Sequence, residues 1–119
     1  IDSGMFRAMQ LAAATALEAE ADWYEGNNEN YRNRRHLAGE IMKTLGCTYD
    51  EKQVGMFLWG KIPASCKDVE ELTEKVLHEA RVFITPGFIF GSNGARYIRI
   101  SLCCKDNKLA EALERIKRI

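Results

Sequence analysis

Hydrophobic and polar positions follow two periods along this chain, one typical of helices and one typical of strands. Apolar side chains at helical spacing predict four helices, at roughly residues 5–21, 22–45, 68–80 and 107–119. Short apolar or alternating runs bounded by glycine and proline predict three strands, at residues 54–62, 82–85 and 97–103. The predicted order is therefore two helices, a strand, a helix, two strands and a final helix.

Residues suited to capping lie near the predicted helix ends. Gly46 is a natural stop for the second helix, because glycine readily adopts the left-handed backbone that closes a helix. Short polar side chains can accept a hydrogen bond from the first free N–H groups of a helix. The candidate N-caps, in chain order, are Asp2 or Ser3, Ser65 or Asp68, and Asp106.

This order of elements predicts an α+β fold in two layers, with a short mixed or antiparallel sheet covered by helices. The first helix differs from the others because Leu11, Ala12 and Ala14 leave it little polar surface. A helix that is apolar on most sides needs partners on several sides. We therefore expect this helix to need more partners than a chain of 119 residues supplies.

Charge and composition narrow the classes of partner. Lys plus Arg and Asp plus Glu each number 17, so the formal net charge is zero and gives no support for a nucleic-acid or anionic-membrane surface. No apolar run reaches the roughly 18 residues that a membrane-spanning helix needs, and the N-terminal segment does not resemble a signal peptide. We expect a cytoplasmic protein that binds neither nucleic acid nor membrane.

The cysteines and histidines do not indicate a metal site. The chain has no CxxC pair, and its four cysteines are Cys47, Cys66, Cys103 and Cys104. We interpret them as reduced thiols, because adjacent cysteines on a strand point to opposite faces. A zinc site would need His36 or His78, and neither lies at ligand spacing. No serine has a histidine partner by any motif, so no nucleophile–base pair is predicted either.

Arg99 is the most informative single residue. It lies within the predicted strand YIRIS, on the same face as Tyr97 and Ser101, while Ile98 and Ile100 lie on the other face. Arginine presents a planar fork of donors that matches a carboxylate in two parallel hydrogen bonds. Arg99 is therefore a candidate anion-binding residue, and the alternative is a local salt bridge to an Asp or Glu or an exposed position.

The loop PGFIFGSNG precedes this strand. Its proline and three glycines favour unusual backbone angles, and such loops often carry binding sites on a rigid scaffold. The alternative is a plain connection in which Phe88 and Phe90 fill the core. A second basic cluster, Arg32, Arg34 and Arg35, is interpreted as a solvated helix face rather than an anion site.

Five segments together resemble one family, the class I/II aminotransferases, which are fold-type I enzymes dependent on pyridoxal phosphate. The segments occur in the family's order and are IDSGMFRAMQLAAATAL, YRNRRHLAGEIMKTLG, GMFLWGKIP, ITPGFIFGSNGARYIRIS and LAEALERIKR. The most specific part is G-M-F-L-W followed by P-G-x-x-F-G and then Y-I-R-I-S. The resemblance spans essentially the whole chain and concerns the C-terminal portion of the family.

The resemblance implies a role for each part of the chain. Residues 1–21 correspond to the last helix of a large cofactor domain, and residues 22–119 to the small domain that closes over the active site. In the family, the arginine at the position of Arg99 binds the α-carboxylate of an amino-acid or 2-keto-acid substrate. The active-site loop would be shaped by Pro86, Gly87, Phe90 and Gly91. Enzymes of this family form homodimers, so a homodimer is expected.

The cofactor expectation follows from the same resemblance. The lysine that forms the Schiff base with pyridoxal phosphate, and the phosphate-binding and ring-stacking residues, lie upstream of the IDSG segment in the family. None of the eight lysines here lies in a matching motif. We therefore expect no catalytic residue and no bound cofactor in this chain alone, and no amino transfer without the missing large domain. In the full-length enzyme the resemblance implies pyridoxal phosphate as cofactor, with aspartate aminotransferase as the family-level type of specificity.

Two other functions fit the sequence. The chain could be a stand-alone α+β module that binds a metabolite or a protein without catalysis, or a dimerisation element that uses its apolar first helix. The sequence begins at Ile1, without an initiator methionine, and enters a helical pattern at once. We interpret this as a start within a longer protein.

Overall fold

The computed structural model of the protein describes residues 4–119. The chain divides into two compact units, one ending at Asn30 and the other over Tyr31–Ile119. The predicted division after residue 21 stays a prediction. Within residues 4–119, no helix combines the length and the apolar composition needed to cross a membrane.

The first unit contains one of the predicted helices and the start of the second. Helix α1 spans Arg7–Leu17, and helix α2, which spans Ala21–Thr44, begins in this unit. α1 has no buried residue and starts after Phe6 without a side-chain cap. The candidate N-caps Asp2 and Ser3 lie outside the described residues. Both predicted helices are confirmed.

In the second unit, four strands form one antiparallel sheet in the order β1-β2-β4-β3. The strands are β1 at Thr48–Tyr49, β2 at Phe57–Lys61, β3 at Thr85–Pro86 and β4 at Tyr97–Ser101. Helix α3 spans Val69–Lys75 and continues as a π-helical turn over Val76–Ala80, and helix α4 spans Asp106–Ile116. The predicted α+β fold is confirmed, and the sheet is antiparallel throughout.

The strands differ from the prediction at the edges of the sheet. β1 was missed, and of the predicted strand 82–85 only Thr85 pairs in the sheet, together with Pro86. A strand of two residues shows no alternation that could be read from the sequence. The longer predicted strands at 54–62 and 97–103 are confirmed, with β2 and β4 inside them.

One face of the sheet packs against helices and forms the core. The side chains of Ile98, Ile100 and Leu102 are buried, as their alternation predicts. Leu58 and Gly60 of β2 lie on the same face, and both are buried. The helices contribute Ala38, Ile41, Met42, Val69, Leu72, Val76, Leu109, Leu113 and Ile116. The alternate residues of β2 and β4 therefore lie on the opposite face, away from this core.

Two helix ends are closed as predicted. Gly46 follows α2 with φ of +69°, and the next N–H, of Cys47, donates to the carbonyl oxygen of Met42 at 2.8 Å. Asp68 caps α3, because its Oδ1 accepts a hydrogen bond from the N–H of Glu71 at 2.9 Å. These local interactions set where the two helices stop and start.

Asp106 is not an N-cap, so this prediction is wrong. It is the first residue of α4, and its Oδ1 accepts a hydrogen bond from Nε of Arg34 at 2.8 Å. Arg34 also donates from Nη1 to the carbonyl oxygen of Leu102 at 3.2 Å, and Arg35 donates to that of Gly55 at 2.6 Å. The interpretation of these two arginines as a solvated face is therefore also wrong, since both bind other parts of the fold.

Candidate functional site

The face of the sheet opposite the core carries aromatic side chains around one arginine. Its residues are Phe57, Trp59 and Lys61 on β2, and Tyr97, Arg99 and Ser101 on β4. Trp59 lies directly opposite Arg99 in the register, while Phe57 lies opposite Ser101 and so is diagonal to Arg99. All six side chains are exposed or half-buried. This face is open to a ligand.

The guanidinium of Arg99 lies over two phenyl rings. Its Cζ is 4.2 Å from the ring centroid of Phe57 and 4.1 Å from that of Phe90. A cation over an aromatic face is attracted by the negative quadrupole of the ring. The guanidinium of Arg99 has no hydrogen bond or salt bridge to any residue that the structure describes, so its N–H groups are available to an external acceptor. The alternative of a local salt bridge is thus not realised among residues 4–119.

The loop before β4 brings Phe90 to Arg99. Pro86 pairs with Ile98 at the edge of the sheet, and two short 3-10 turns follow, over Gly87–Phe90 and Ser92–Gly94. Gly91 joins the two turns with φ of +123°, a backbone conformation that side-chain-bearing residues rarely adopt. This backbone conformation explains why the loop has glycine at position 91.

Two parts of this loop pack backbone against backbone, at Gly87 and Gly94. A Cβ on Gly87 would lie 2.5 Å from the carbonyl oxygen of Gly94, 2.7 Å from that of Tyr97 and 2.8 Å from Cη2 of Trp59. A Cβ on Gly94 would likewise collide with the backbone of Gly87. Only glycine fits at both positions, so the loop packs directly on β4 and on the indole of Trp59.

Trp59 links the loop to the sheet. Its ring stacks on that of Tyr97 at a centroid distance of 5.3 Å and an interplanar angle of 11°. It also meets Phe90 edge to face, with centroids 6.1 Å apart. Aromatic pairs of these geometries stabilise their arrangement beyond simple burial. The ring of Phe90 is thereby held where it contacts Arg99.

A groove of about 290 Å³ lies beside Arg99. Its walls come from residues 82–85, from β4 and from α4. The apolar wall residues are Ile41, Val82, Phe83, Ile84, Ile100, Leu109 and Ala112, and Arg99 and Lys108 are its cations. Ile100 and Leu109 belong to the core, so this groove lies on the helix-covered side of the sheet, whereas the guanidinium of Arg99 lies over Phe57 and Phe90 on the opposite face.

The structure brings together part of what the sequence predicted. Phe90 contacts Arg99, and Pro86, Gly87 and Gly91 shape the loop that carries Phe90. The alternative in which Phe88 and Phe90 fill the core is wrong, because both side chains are about half exposed, at 45% and 51%. Phe57 was missed, although the alternation in MFLWGK places it on one face with Trp59.

The described residues do not fit a site for pyridoxal phosphate. A lysine that forms a Schiff base in a protein is activated by an enclosed, desolvated environment. All eight lysines are exposed, and Lys43, Lys108 and Lys117 pair with glutamates on their own helices. Among residues 4–119, no group of three or more His, Cys, Asp or Glu side chains could hold a metal ion. These residues therefore do not supply a lysine suited to forming a Schiff base with the cofactor.

Comparison with known protein families agrees with the resemblance. A family model described as aminotransferase class I and II matches residues 3–116. The LL-diaminopimelate aminotransferase of Desulforudis audaxviator is 37% identical over 117 residues, which are 98% of this chain and 30% of that protein. The chain therefore spans about 30% of the length of this curated relative.

Solved structures show the same arrangement of elements. The apo structure of BacF from Bacillus subtilis has a TM-score of 0.76 at 33% sequence identity, covering 97% of this chain and 30% of that chain. The aromatic aminotransferase from Pyrococcus horikoshii has a TM-score of 0.77 at 33% identity, covering 92% of this chain and 30% of that chain. In both, the similar region is under a third of the solved chain.

Proposed function

Since the chain belongs to the class I and II aminotransferases, a family dependent on pyridoxal phosphate, we propose that it is the domain that binds the substrate carboxylate in a longer aminotransferase. The reaction of that enzyme is transfer of an amino group between an amino acid and a 2-keto acid. Arg99 binds the α-carboxylate, which both substrates carry. Several relatives are named LL-diaminopimelate aminotransferase, which favours this substrate, and aspartate-type specificity stays a prediction.

One observation supports this role most directly. Arg99 is half-buried on the open face of the sheet, and its side-chain donors meet no acceptor among the described residues. A partly desolvated arginine without a counter-charge favours an anionic ligand, because charge-assisted hydrogen bonds to a carboxylate restore the lost solvation. Positioning of this kind accelerates a reaction by holding the substrate at the reacting centre.

In this proposal, the groups that bind the cofactor and carry out the chemistry belong to residues outside this sequence. Because the lysines here do not fit the cofactor, the Schiff-base lysine and the phosphate-binding residues belong to a large domain outside this sequence. That domain packs against the apolar residues of α1, whose Met9, Leu11 and Leu17 are exposed at 58%, 58% and 82%. We further propose a cytoplasmic homodimer, and that the 119-residue chain alone does not catalyse amino transfer.

The test is the Arg99→Ala variant of the full-length protein that contains this sequence. Loss of a two-point carboxylate contact should lower kcat/KM by about 100-fold or more for both the amino acid and the 2-keto acid, because such contacts are worth several kcal/mol. Steady-state kinetics of both half-reactions measure this. Arg118→Ala is the matched control, since Arg118 is exposed and distant in sequence from the loop and β4.

Two results would contradict the proposal. The first is an active full-length enzyme whose kcat/KM is unchanged by Arg99→Ala. The second is amino transfer by the 119-residue chain alone, with a lysine–cofactor adduct trapped by borohydride. If the full-length protein has no aminotransferase activity but the chain binds a carboxylate through Arg99, the stand-alone binding module becomes the better explanation.

A further inference from the structure

We infer that Phe57 and Phe90 are positioning residues for Arg99: their ring faces hold the guanidinium in place and leave its hydrogen-bond donors free for the substrate carboxylate. This inference rests on the proposed function of Arg99. It goes beyond that function because it assigns a role in substrate binding to two side chains that donate no hydrogen bond and carry no charge.

Other arginines of this chain show how a guanidinium is usually anchored. Arg96 donates from Nη1 to the carbonyl oxygens of Cys66 and Lys67 at 2.9 and 2.7 Å, and from Nη2 to that of Pro63 at 2.8 Å. Arg34 donates to Asp106 and to Leu102. In both cases the donors that fix the side chain are no longer available to a ligand.

Arg99 is anchored differently. Among residues 4–119, its guanidinium contacts the rings of Phe57 at 4.2 Å and of Phe90 at 4.1 Å, and neither ring offers a hydrogen-bond acceptor of ordinary strength. Two ring faces can therefore restrict where the guanidinium lies without occupying its N–H groups. A ligand carboxylate then meets a fork that is already in place.

The exposure of the two rings supports a role outside the core. Phe57 is 38% exposed and Phe90 is 51% exposed, so neither ring belongs to the buried core and both remain accessible on the open face. They come from different elements, Phe57 from β2 and Phe90 from the loop before β4. The loop is closed by the Gly87–Gly94 contact, and Phe90 rests on the edge of Trp59. Phe90 is thus itself held rigidly enough to position Arg99.

Preorganisation has a definite energetic consequence. A free arginine side chain has many rotamers, and binding a carboxylate in one geometry requires that this freedom be lost. If the rings have already restricted the side chain, less freedom is lost on binding and affinity rises. Removing a ring face should therefore raise KM and lower kcat/KM, while the carboxylate contact itself remains possible.

The experiment uses the full-length enzyme with Phe57→Leu, Phe90→Leu and the double variant. Leucine keeps an apolar side chain and removes the π face. We expect KM for the amino acid to rise by about five- to tenfold for each single variant and further for the double variant, in line with the usual strength of a cation–π contact. Phe57→Tyr and Phe90→Tyr keep the ring and should stay within about twofold of wild type.

A second measurement separates positioning from a general structural effect. The leucine substitutions are repeated in the Arg99→Ala background. A residue that acts only through Arg99 has no further effect once that side chain is gone, so the double-mutant cycle should show nearly complete coupling. Phe88→Leu is the matched control, because Phe88 lies in the same loop with similar exposure and has no ring contact to Arg99.

The outcomes distinguish this inference from the proposed function. If Arg99→Ala lowers kcat/KM but the leucine variants match wild type, the positioning role is overturned and the carboxylate role stands. If the leucine effects are equally large in the Arg99→Ala background, the rings act independently of Arg99 and the inference is again wrong. If Arg99→Ala leaves kcat/KM unchanged, both the positioning role of the rings and the carboxylate role of Arg99 are overturned. The melting temperature of each variant shows whether a loss reflects unfolding.

Discussion

Gly87 and Gly94 meet backbone to backbone across the loop that carries Phe90. Either residue would collide with the other if it had a Cβ, and Gly87 would also collide with the indole of Trp59. The contact joins the first 3-10 turn of the loop to the second. It therefore determines where the loop lies on the open face of the sheet, and with it the ring next to Arg99.

Gly94→Ala should destabilise the second unit by about 1–3 kcal/mol, because the added methyl group must displace backbone rather than a flexible side chain. Urea unfolding followed by circular dichroism measures the change. Ser92→Ala is the control in the same loop, at an exposed position, and should stay within about 0.5 kcal/mol. Equal stability of the two variants would show that the loop relaxes without cost.

The ion pair between Arg34 and Asp106 should stabilise the fold more than an exposed ion pair within one helix does, because it links two separate helices. Nε of Arg34 lies 2.8 Å from Oδ1 of Asp106, and the contact joins α2 to the first turn of α4. The hydrogen bond to Asp106 raises the pKa of Arg34 above its usual value. We expect Asp106→Asn to lower the melting temperature more than Glu114→Gln, which breaks the exposed pair with Lys117. Equal shifts in the two variants would contradict this.

Arg96 should be the most important arginine for stability in the second unit. Its guanidinium binds three carbonyl oxygens of the segment before α3, those of Pro63, Cys66 and Lys67. Arg96→Met keeps much of the apolar stem but leaves these carbonyls without their charged donor, at an expected cost of about 2 kcal/mol. Chemical denaturation measures this cost. Arg118→Ala is the control, and a similar loss there would refute the assignment.

Stability should fall at high pH because of Cys47. Burial, with a smaller effect of nearby Cys66, raises the pKa of the Cys47 thiol from 9.0 to about 11. The unfolded chain therefore releases this proton at lower pH than the folded chain does, and the contribution present below pH 9 is lost as the pH rises towards 11. The free energy of unfolding, measured from pH 8 to 11, should decrease less steeply in Cys47→Ala than in wild type.

The matched control for this pH dependence is Cys103→Ala, at an exposed position. That variant should keep the wild-type slope. Identical slopes for wild type and Cys47→Ala would show that the Cys47 thiol does not titrate differently in the folded and unfolded chains.

Patterns that repeat along the chain were sufficient to predict most of the fold. The alternation of Ile98, Ile100 and Leu102 identified the buried face of β4, and helical spacing located the four helices. Gly46 and Asp68 marked helix ends because capping depends on neighbours within a few residues. These features are local, so one segment at a time contains enough information to infer them.

The errors concern contacts between distant segments. Asp106 has the side chain of a good N-cap, but Arg34, far away in sequence, binds it instead. β1 and β3 are too short to show a period, and they exist because β2 and β4 offer free edges. Neither the ion pair nor the strand pairing can be inferred from a local sequence pattern, because each depends on where two distant segments lie in the folded chain.

For the candidate site, the sequence singled out Arg99 by its position between isoleucines on a strand and the loop by its proline and glycines, and the family resemblance supplied the expected carboxylate role. Only the tertiary structure decided which groups surround the guanidinium. Strand register places Phe57 diagonal to Arg99, and the glycine contact brings Phe90 to it from the loop. A cation–π contact depends on distances of a few ångströms between separate elements. Those distances arise only when the whole unit has folded.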